Sequence, residues 1–265
     1  MTSPNPLPRE IAHGVFWLGG CLHNAYQGKI YHSYQSAYLV RGESSSLLVE
    51  TGHPKDLPVF EAQLASILSD GQAPLKYIFA THQETPHAAG LGSWMRKYPD
   101  ALACGDIRDY HLIFPDFVGR YLPLKSGETV DLGGTEFIVI DAIIKDLNST
   151  QWGFDRSRRI LFPGDGFAYG HYHEAGQCGK LAEEVPTLAI SDMTALFAEL
   201  ALYWTRFTDM EPYIRRLSEC IAELNVTMIA PIHGLPITDL DRTLPKVMEG
   251  LRLGSTGATV NFADD

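Results

Sequence analysis

The chain has 265 residues, 45% of them hydrophobic and 20% charged, and its formal net charge is −11. This composition predicts a globular protein rather than a disordered one, of a size that fits a single layered α/β domain over residues 1–265. The acidic balance argues against nonspecific binding to nucleic acid or to anionic membranes, because both need a basic surface.

Neither a membrane span nor a secretory signal is expected. No segment approaches the roughly 18 apolar residues that cross a bilayer, and residues 1–8 are polar and rich in proline. The cysteines are far apart in the sequence and show no CxxC spacing, which argues against a zinc knuckle or a disulfide framework. They are Cys21, Cys104, Cys178 and Cys220. We therefore expect free thiols in a reducing cytoplasm.

The hydrophobic pattern predicts an alternation of strands and helices. In chain order these are a strand within 11–19, strands 36–40 and 46–50, helix 57–68, strand 75–80, helix 87–98, two strands within 129–140, strand 159–162, helices 192–206 and 209–224, strand 226–230 and helix 240–251. The tyrosine-rich segment around His23 and His32 is expected to be a loop. Polar residues recur at strand ends, which predicts two sheets with helices outside them and a site along one edge.

The strongest functional signal directly follows the apolar run 75–80. His82, Glu84 and His87 fall within six residues, between a predicted strand and a predicted helix. Such junctions are where open α/β sheets place their sites, so we interpret the three side chains as metal ligands. The alternatives are histidines that only pack in the core and a glutamate favoured by the positive end of the helix.

Three later loops supply further candidate ligands. Asp141, Lys145 and Asp146 follow the strand near residue 140, Asp165 lies in a Pro-Gly-Asp-Gly turn, and His233 lies between proline and glycine after the strand 226–230. Imidazoles and carboxylates without a thiolate suit iron, manganese or zinc, and the carboxylates favour iron over zinc. Asp165 has two oxygens and can bridge two ions.

These motifs, in this order, resemble the metallo-β-lactamase superfamily and, within it, the flavodiiron proteins. The first motif has histidine, spacer, second ligand, spacer, aspartate and histidine, and the flavodiiron branch has glutamate as its second ligand, as at Glu84. The segments ILFPGDGF (160–167) and MIAPIHG (228–234) resemble the bridging-aspartate and last-histidine loops, and the helix around 201–204 is also similar.

The resemblance implies an α/β fold, the metallo-β-lactamase-like αββα sandwich, with two mixed β-sheets and helices on the outer faces. It also implies an iron centre of one or two ions, with zinc or manganese less favoured. His82 and Glu84 would serve one ion, His87 and His233 the other, and Asp165 would bridge them.

The sequence departs from the family pattern at several ligand positions. Pro86 replaces the aspartate of the first motif, and Lys145 aligns with a histidine of the second loop, where the adjacent Asp146 can substitute as a ligand. Glu50 stands where the superfamily has an aspartate that supports the metal loop. His171 and His173 are either replacement ligands, proton donors to a bound ligand, or residues of an exposed polar loop.

Three functional hypotheses follow. The first is a non-haem iron oxidoreductase that binds or reduces dioxygen or nitric oxide, or oxidises a small molecule. The second is a metal-dependent hydrolase, which the loss of an aspartate at Pro86 disfavours because that aspartate orients the attacking water in the family. The third is a degenerate metal site that binds a ligand or has a structural role. The resemblance further implies a separate electron-donor protein, because no FMN-binding domain is expected in the chain, and it makes a homodimer plausible.

Overall fold

The computed structural model describes residues 6–26, 28–69, 71–167 and 178–256. Its strands are β1 (Arg9–Ala12), β2 (Val15–Tyr26), β3 (Lys29–Arg41), β4 (Ser46–Val49), β5 (Leu75–Phe79), β6 (Leu102–Gly105), β7 (Tyr121–Pro123), β8 (Thr129–Asp131), β9 (Glu136–Asp141), β10 (Gln151–Asp155), β11 (Ile160–Phe162) and β12 (Met228–Ile229). Its α-helices are α1 (Leu57–Ile67), α2 (Thr85–Ala88), α3 (Leu91–Lys97), α4 (Tyr110–Ile113), α5 (Ile190–Leu200), α6 (Glu211–Glu223) and α7 (Leu240–Ser255).

The strands form two mixed sheets. The first has the order β1-β2-β3-β4-β5-β6-β7, with antiparallel pairing from β1 to β4 and parallel pairing from β4 to β7. The second has the order β12-β11-β10-β9-β8, in which only the β11–β12 pair is parallel. Parallel strands need crossover connections, so their carboxyl ends lie at the same edge of a sheet. Helices or loops begin at that edge.

Aromatic side chains join the two sheets face to face. Phe79 of β5 contacts Phe137 of β9 with ring centroids 5.2 Å apart, and Tyr38 of β3 contacts Phe162 of β11 at 5.5 Å. Phe137 and Phe162 also contact each other. The interior between the sheets is therefore an aromatic-rich core, where each ring buries a large apolar area.

The outer face of the first sheet packs against helices, because side chains alternate between the faces of a strand. Leu18, Leu39 and Ile78 each lie next to a residue that faces the other sheet, so their own side chains point to the outer face. They belong to a buried cluster with residues of α1 and α3. Apolar residues of α5, α6 and α7 join the core of the second sheet. The predicted αββα fold, with two mixed sheets and outer helices, is confirmed.

Several local predictions were wrong. The segment around His23 and His32 is a hairpin, because β2 and β3 pair without interruption from Val15–Val40 to Tyr26–Lys29. The predicted helix 87–98 is two helices separated at Gly90, and the predicted helix 192–206 ends at Leu200. Strands β6, β7 and β10 have only three to five residues, too short to give a periodic signal. Within the described residues, no helix is long and apolar enough to cross a membrane.

Candidate metal centre

Four loops bring the predicted ligands together, and each follows a strand. His82, Glu84 and His87 follow β5 of the first sheet. Asp146 lies between β9 and β10, Asp165 follows β11, and His233 follows β12 of the second sheet. The centre thus lies where the two sheets end side by side, and both layers of the sandwich contribute to it.

Asp165 lies at the middle of this group and faces three imidazoles. Its Oδ2 is 3.4 Å from Nε2 of His87 and 3.9 Å from Nε2 of His82, and its Oδ1 is 3.6 Å from Nε2 of His233. The two oxygens of one carboxylate are therefore presented to different histidines, which is the arrangement expected of a bridging ligand.

His82 faces two further carboxylates. Its Nε2 is 3.5 Å from Oε2 of Glu84 and 3.8 Å from Oδ2 of Asp146. One potential ligand atom from each of four residues lies within 4.8 Å of the others, and these residues are His82, Glu84, His87 and Asp165. His82, His87 and Asp165 are buried, whereas the Glu84 side chain is 57% exposed and forms the solvent side of the group.

The hydrogen bonding of the site fits a metal ion. Four buried atoms at the centre have no hydrogen-bond partner: Nε2 of His82, Nε2 of His87, Oδ1 of Asp146 and Oδ1 of Asp165. Buried polar atoms in folded proteins are almost always satisfied, and an unsatisfied one costs about 1–3 kcal/mol. Four such atoms, in residues that face one another around His82 and Asp165, fit a bound cation, to which lone pairs of imidazole and carboxylate would point.

Glu50 and Thr81 are buried behind the centre and hold His87 of the first motif in place. The Thr81 hydroxyl donates to Oε1 of Glu50 at 2.6 Å and lies 3.1 Å from Nδ1 of His87, and the same Glu50 oxygen is 3.3 Å from that Nδ1. A carboxylate that accepts from the far nitrogen of a histidine fixes the ring and leaves the other nitrogen for a metal.

His233 is oriented by the backbone of the long hairpin. Its Nδ1 lies 2.7 Å from the carbonyl oxygen of Tyr34, which can only accept a hydrogen bond. Nδ1 therefore carries the proton, and Nε2 presents its lone pair to Asp165. Phe197 of α5 stacks on the ring with centroids 5.6 Å apart and restricts its tilt.

The imidazoles and carboxylates of the centre shift one another's pKa values. Burial acts to lower the pKa of His87, but Glu50 and Asp165 outweigh it and hold that pKa well above its usual value. Burial acts to raise the pKa of Asp165, but His87 and His233 hold it well below its usual range. Burial, together with Asp165, raises the pKa of Asp146 to about 9.

The remaining candidates lie elsewhere. Lys145 and Asp141 line a surface cavity together with Arg108 and Lys125, and the backbone carbonyl of Lys145 accepts from the Trp204 indole at 2.9 Å. Asp146, rather than its neighbour, is thus the residue of the second loop that contacts the centre. His171 and His173 lie outside the described residues.

Sequence reasoning did not identify Thr81 and Tyr34 as parts of the site. Thr81 directly precedes the first histidine, and its polar side chain at a strand end was a signal that could have been used. Tyr34 contributes a backbone carbonyl, which leaves no trace in the residue type. Pro86 occupies the first turn of α2, where its missing N–H costs nothing.

Comparison with known proteins gives relatives of the same architecture. The chain is 24% identical over 252 residues to the coenzyme F420H(2) oxidase of Methanocaldococcus jannaschii, an alignment that covers 87% of this chain. The rubredoxin oxygen:oxidoreductase of Desulfovibrio gigas superposes with a TM-score of 0.73 at 16% identity over 92% of this chain. The flavodiiron protein of Giardia intestinalis superposes with a TM-score of 0.74 at 18% identity over 96%.

These relatives are longer than the chain. It spans 57% of the length of the oxidase, and 60% and 61% of the two solved chains. The structural likeness to flavodiiron proteins agrees with the resemblance seen in the motifs and, at these identities, demonstrates the shared fold. The profile of the Metallo-beta-lactamase superfamily matches residues 31–181, which is more than half of the 265 residues, and the chain therefore belongs to that superfamily.

Proposed function

We propose that this protein is a non-haem iron protein that binds one or two iron ions and uses them to bind or reduce dioxygen or nitric oxide. The proposal rests on four neighbouring residues, His82, His87, Asp146 and Asp165, each of which has a buried polar atom without a hydrogen-bond partner. The set contains imidazole and carboxylate and no thiolate, which suits iron better than zinc.

The proposed ligands divide around Asp165. Its Oδ2 side faces His82 and His87, beside Glu84 and Asp146, and its Oδ1 side faces His233. The residues on the Oδ2 side have enough donors for one ion. Asp165 and His233 supply two of the ligands for a second ion. Iron held by these residues would supply one-electron redox chemistry for a diatomic ligand.

The protein's own residues would prepare this chemistry. Glu50 and Thr81 hold the His87 ring, and the Tyr34 carbonyl fixes the tautomer of His233, so little reorganisation is needed when a ligand binds. Pro86 cannot orient a nucleophilic water, which counts against a hydrolase. The names of two similar proteins, a coenzyme F420H(2) oxidase and a rubredoxin oxygen:oxidoreductase, support a reductive role.

Reduction needs a source of electrons, which we propose to be a separate donor protein. A homodimer and a cytoplasmic location remain predictions from the sequence resemblance.

The test is to load the metal-free protein with iron(II) or zinc without oxygen, and to measure bound metal per chain and the visible spectrum. Addition of dioxygen or nitric oxide should change the absorption of the iron form. Glu84→Ala and Asp165→Ala should lose most of the bound iron, whereas Glu219→Ala, at an exposed acid on α6, should retain it. Iron content unaffected by both site variants would overturn the proposal, and so would an iron form whose spectrum responds to neither gas.

A further inference from the structure

The long hairpin assembles a second group of metal-binding side chains that the sequence spacing does not reveal. Cys21 and His23 are two residues apart on β2, so their side chains leave the same face of the strand. The register pairs His23 with His32 and Cys21 with Tyr34 on β3. Cys21, His23 and His32 therefore occupy adjacent positions on one face of the hairpin.

The ligand atoms of these three side chains lie close together. One ligand atom from each of Cys21, His23 and His32 lies within 4.8 Å of the other two. Sγ of Cys21 is 2.8 Å from Nδ1 of His32, and the rings of His23 and His32 lie with centroids 4.2 Å apart. Two imidazoles and one thiol thus face a common point, and none of them belongs to the iron centre.

A second thiol reaches this cluster from a distant part of the chain. The Cys178 thiol is within hydrogen-bonding reach of Cys21, and both side chains are half-buried. The neighbouring Gly179 donates its backbone N–H to the Tyr34 hydroxyl, which fixes this segment against β3. The fold therefore places a second thiol beside Cys21, next to the group of three whose ligand atoms lie within 4.8 Å of one another, and makes it the candidate fourth ligand.

We propose that Cys21, His23, His32 and Cys178 form a second metal site, selective for zinc and separate from the iron centre. Two thiolates and two imidazoles are the ligand set of tetrahedral structural zinc, and thiolates are soft ligands that the iron centre lacks. The ion would join the hairpin to the segment beginning at Cys178. Tyr34 lies between the two sites, because its hydroxyl meets Gly179 and its carbonyl holds His233.

The experiment uses cobalt(II) as a spectroscopic probe of the full chain, reduced beforehand and kept without oxygen. Thiolate ligation gives an intense sulfur-to-cobalt charge-transfer band in the near ultraviolet, which imidazole and carboxylate ligands cannot give. The wild-type protein should show this band at one equivalent per chain, and added zinc should abolish it. The double variant His82→Ala/Glu84→Ala should keep the band, so that failure of the iron proposal and failure of this one are distinguishable.

Variants of the ligands complete the test. Cys21→Ser and Cys178→Ser should each lose most of the band, and Cys220→Ser, at a cysteine on α6, should keep it. His23→Ala changes an exposed residue and should keep the fold, measured by circular dichroism, while weakening cobalt binding by more than about tenfold. Absence of the band from the reduced wild type would overturn the proposal, as would a band of full intensity in the Cys21→Ser/Cys178→Ser double variant.

Discussion

Glu50 lies behind the candidate centre in a left-handed backbone conformation. It is 1% exposed and has a φ of 67°, a left-handed conformation that costs a residue other than glycine about 1–3 kcal/mol. Its carboxylate accepts from Thr81 and faces the imidazole of His87. Such a strained and buried acid persists because surrounding contacts hold it, and here those contacts lead to a candidate ligand.

Glu50→Gln should weaken metal binding while preserving the fold. The amide has the shape of the carboxylate, but it removes the negative charge that faces Nδ1 of His87. Loss of a partner behind a metal-bound histidine typically lowers metal affinity by about 10–100-fold. The affinity is measured by competition with a chelator, and Glu43→Gln, at an exposed turn, is the matched control. An affinity equal to that of the wild type would contradict the supporting role of Glu50.

Asp146 and Lys145 are adjacent, and the structure separates their roles. Asp146→Asn should reduce bound iron, because Oδ2 of Asp146 lies 3.8 Å from Nε2 of His82, whereas Lys145→Ala should leave it unchanged. Burial and Asp165 raise the pKa of Asp146 to about 9, so its carboxyl is neutral near pH 7 without metal. The Asn variant should therefore keep the thermal stability of the metal-free protein. Equal iron contents in the two variants would remove Asp146 from the ligand set.

At the scale of elements, the break between α2 and α3 positions His87. Thr51 makes three hydrogen bonds around this break. Its hydroxyl donates to the His87 carbonyl at 2.8 Å and accepts from the Gly90 N–H at 2.9 Å. Its own carbonyl accepts from the Trp94 indole at 2.8 Å. The chain after β4 is thus hydrogen-bonded to both helices of the first metal motif.

Gly90→Ala should disturb this junction. A β-carbon at Gly90 would lie 2.4 Å from the carbonyl oxygen of Thr51, so the backbone must move. Overpacking of this kind costs about 1–3 kcal/mol, and displacement of Thr51 should also weaken metal binding through His87. Urea unfolding measures the first effect and chelator competition the second. Gly119→Ala is the control, since nothing lies within 4 Å of its β-carbon; a similar loss in both variants would refute the steric explanation.

Some secondary-structure elements could be predicted from the sequence and others could not. The helices α1, α6 and α7 could be predicted from their helical periodicity, and the strands β4 and β5 from short apolar runs. The hairpin of β2 and β3 could not, since the part containing His23 and His32 is polar and aromatic and becomes ordered through pairing along its length. The cluster at Cys21 was missed for the same reason, because it depends on register rather than on spacing.

For the molecule as a whole, the candidate centre joins the two sheets. His82 follows β5 of the first sheet, and Asp165 and His233 follow strands of the second. The order of these motifs along the chain was visible in the sequence, but the distances between them depend on how the layers pack. An ion held by residues of both layers would bind the folded state alone, and so it would stabilise the whole sandwich by mass action.

Metal affinity should rise with pH, because the metal-free centre holds protons that a metal ion must displace. The pKa of His87 is well above its usual value, and that of Asp146 is about 9, so both carry protons near neutral pH. Ligands must be deprotonated to bind a metal, so each of these protons must leave when the ion enters. Lowering the pH makes their removal more costly, and raising it toward about 9 makes the removal from Asp146 progressively easier.

Chelator competition across this pH range, with proton release followed in a weakly buffered solution, measures the effect. The wild type should release protons on binding, and the logarithm of its affinity should increase with pH. Asp146→Asn cannot release the carboxyl proton, so its slope should be smaller by the contribution of that group, whereas Lys145→Ala should keep the wild-type slope. A flat profile would mean that the ion does not displace the protons of His87 and Asp146, and hence that it binds elsewhere in the molecule.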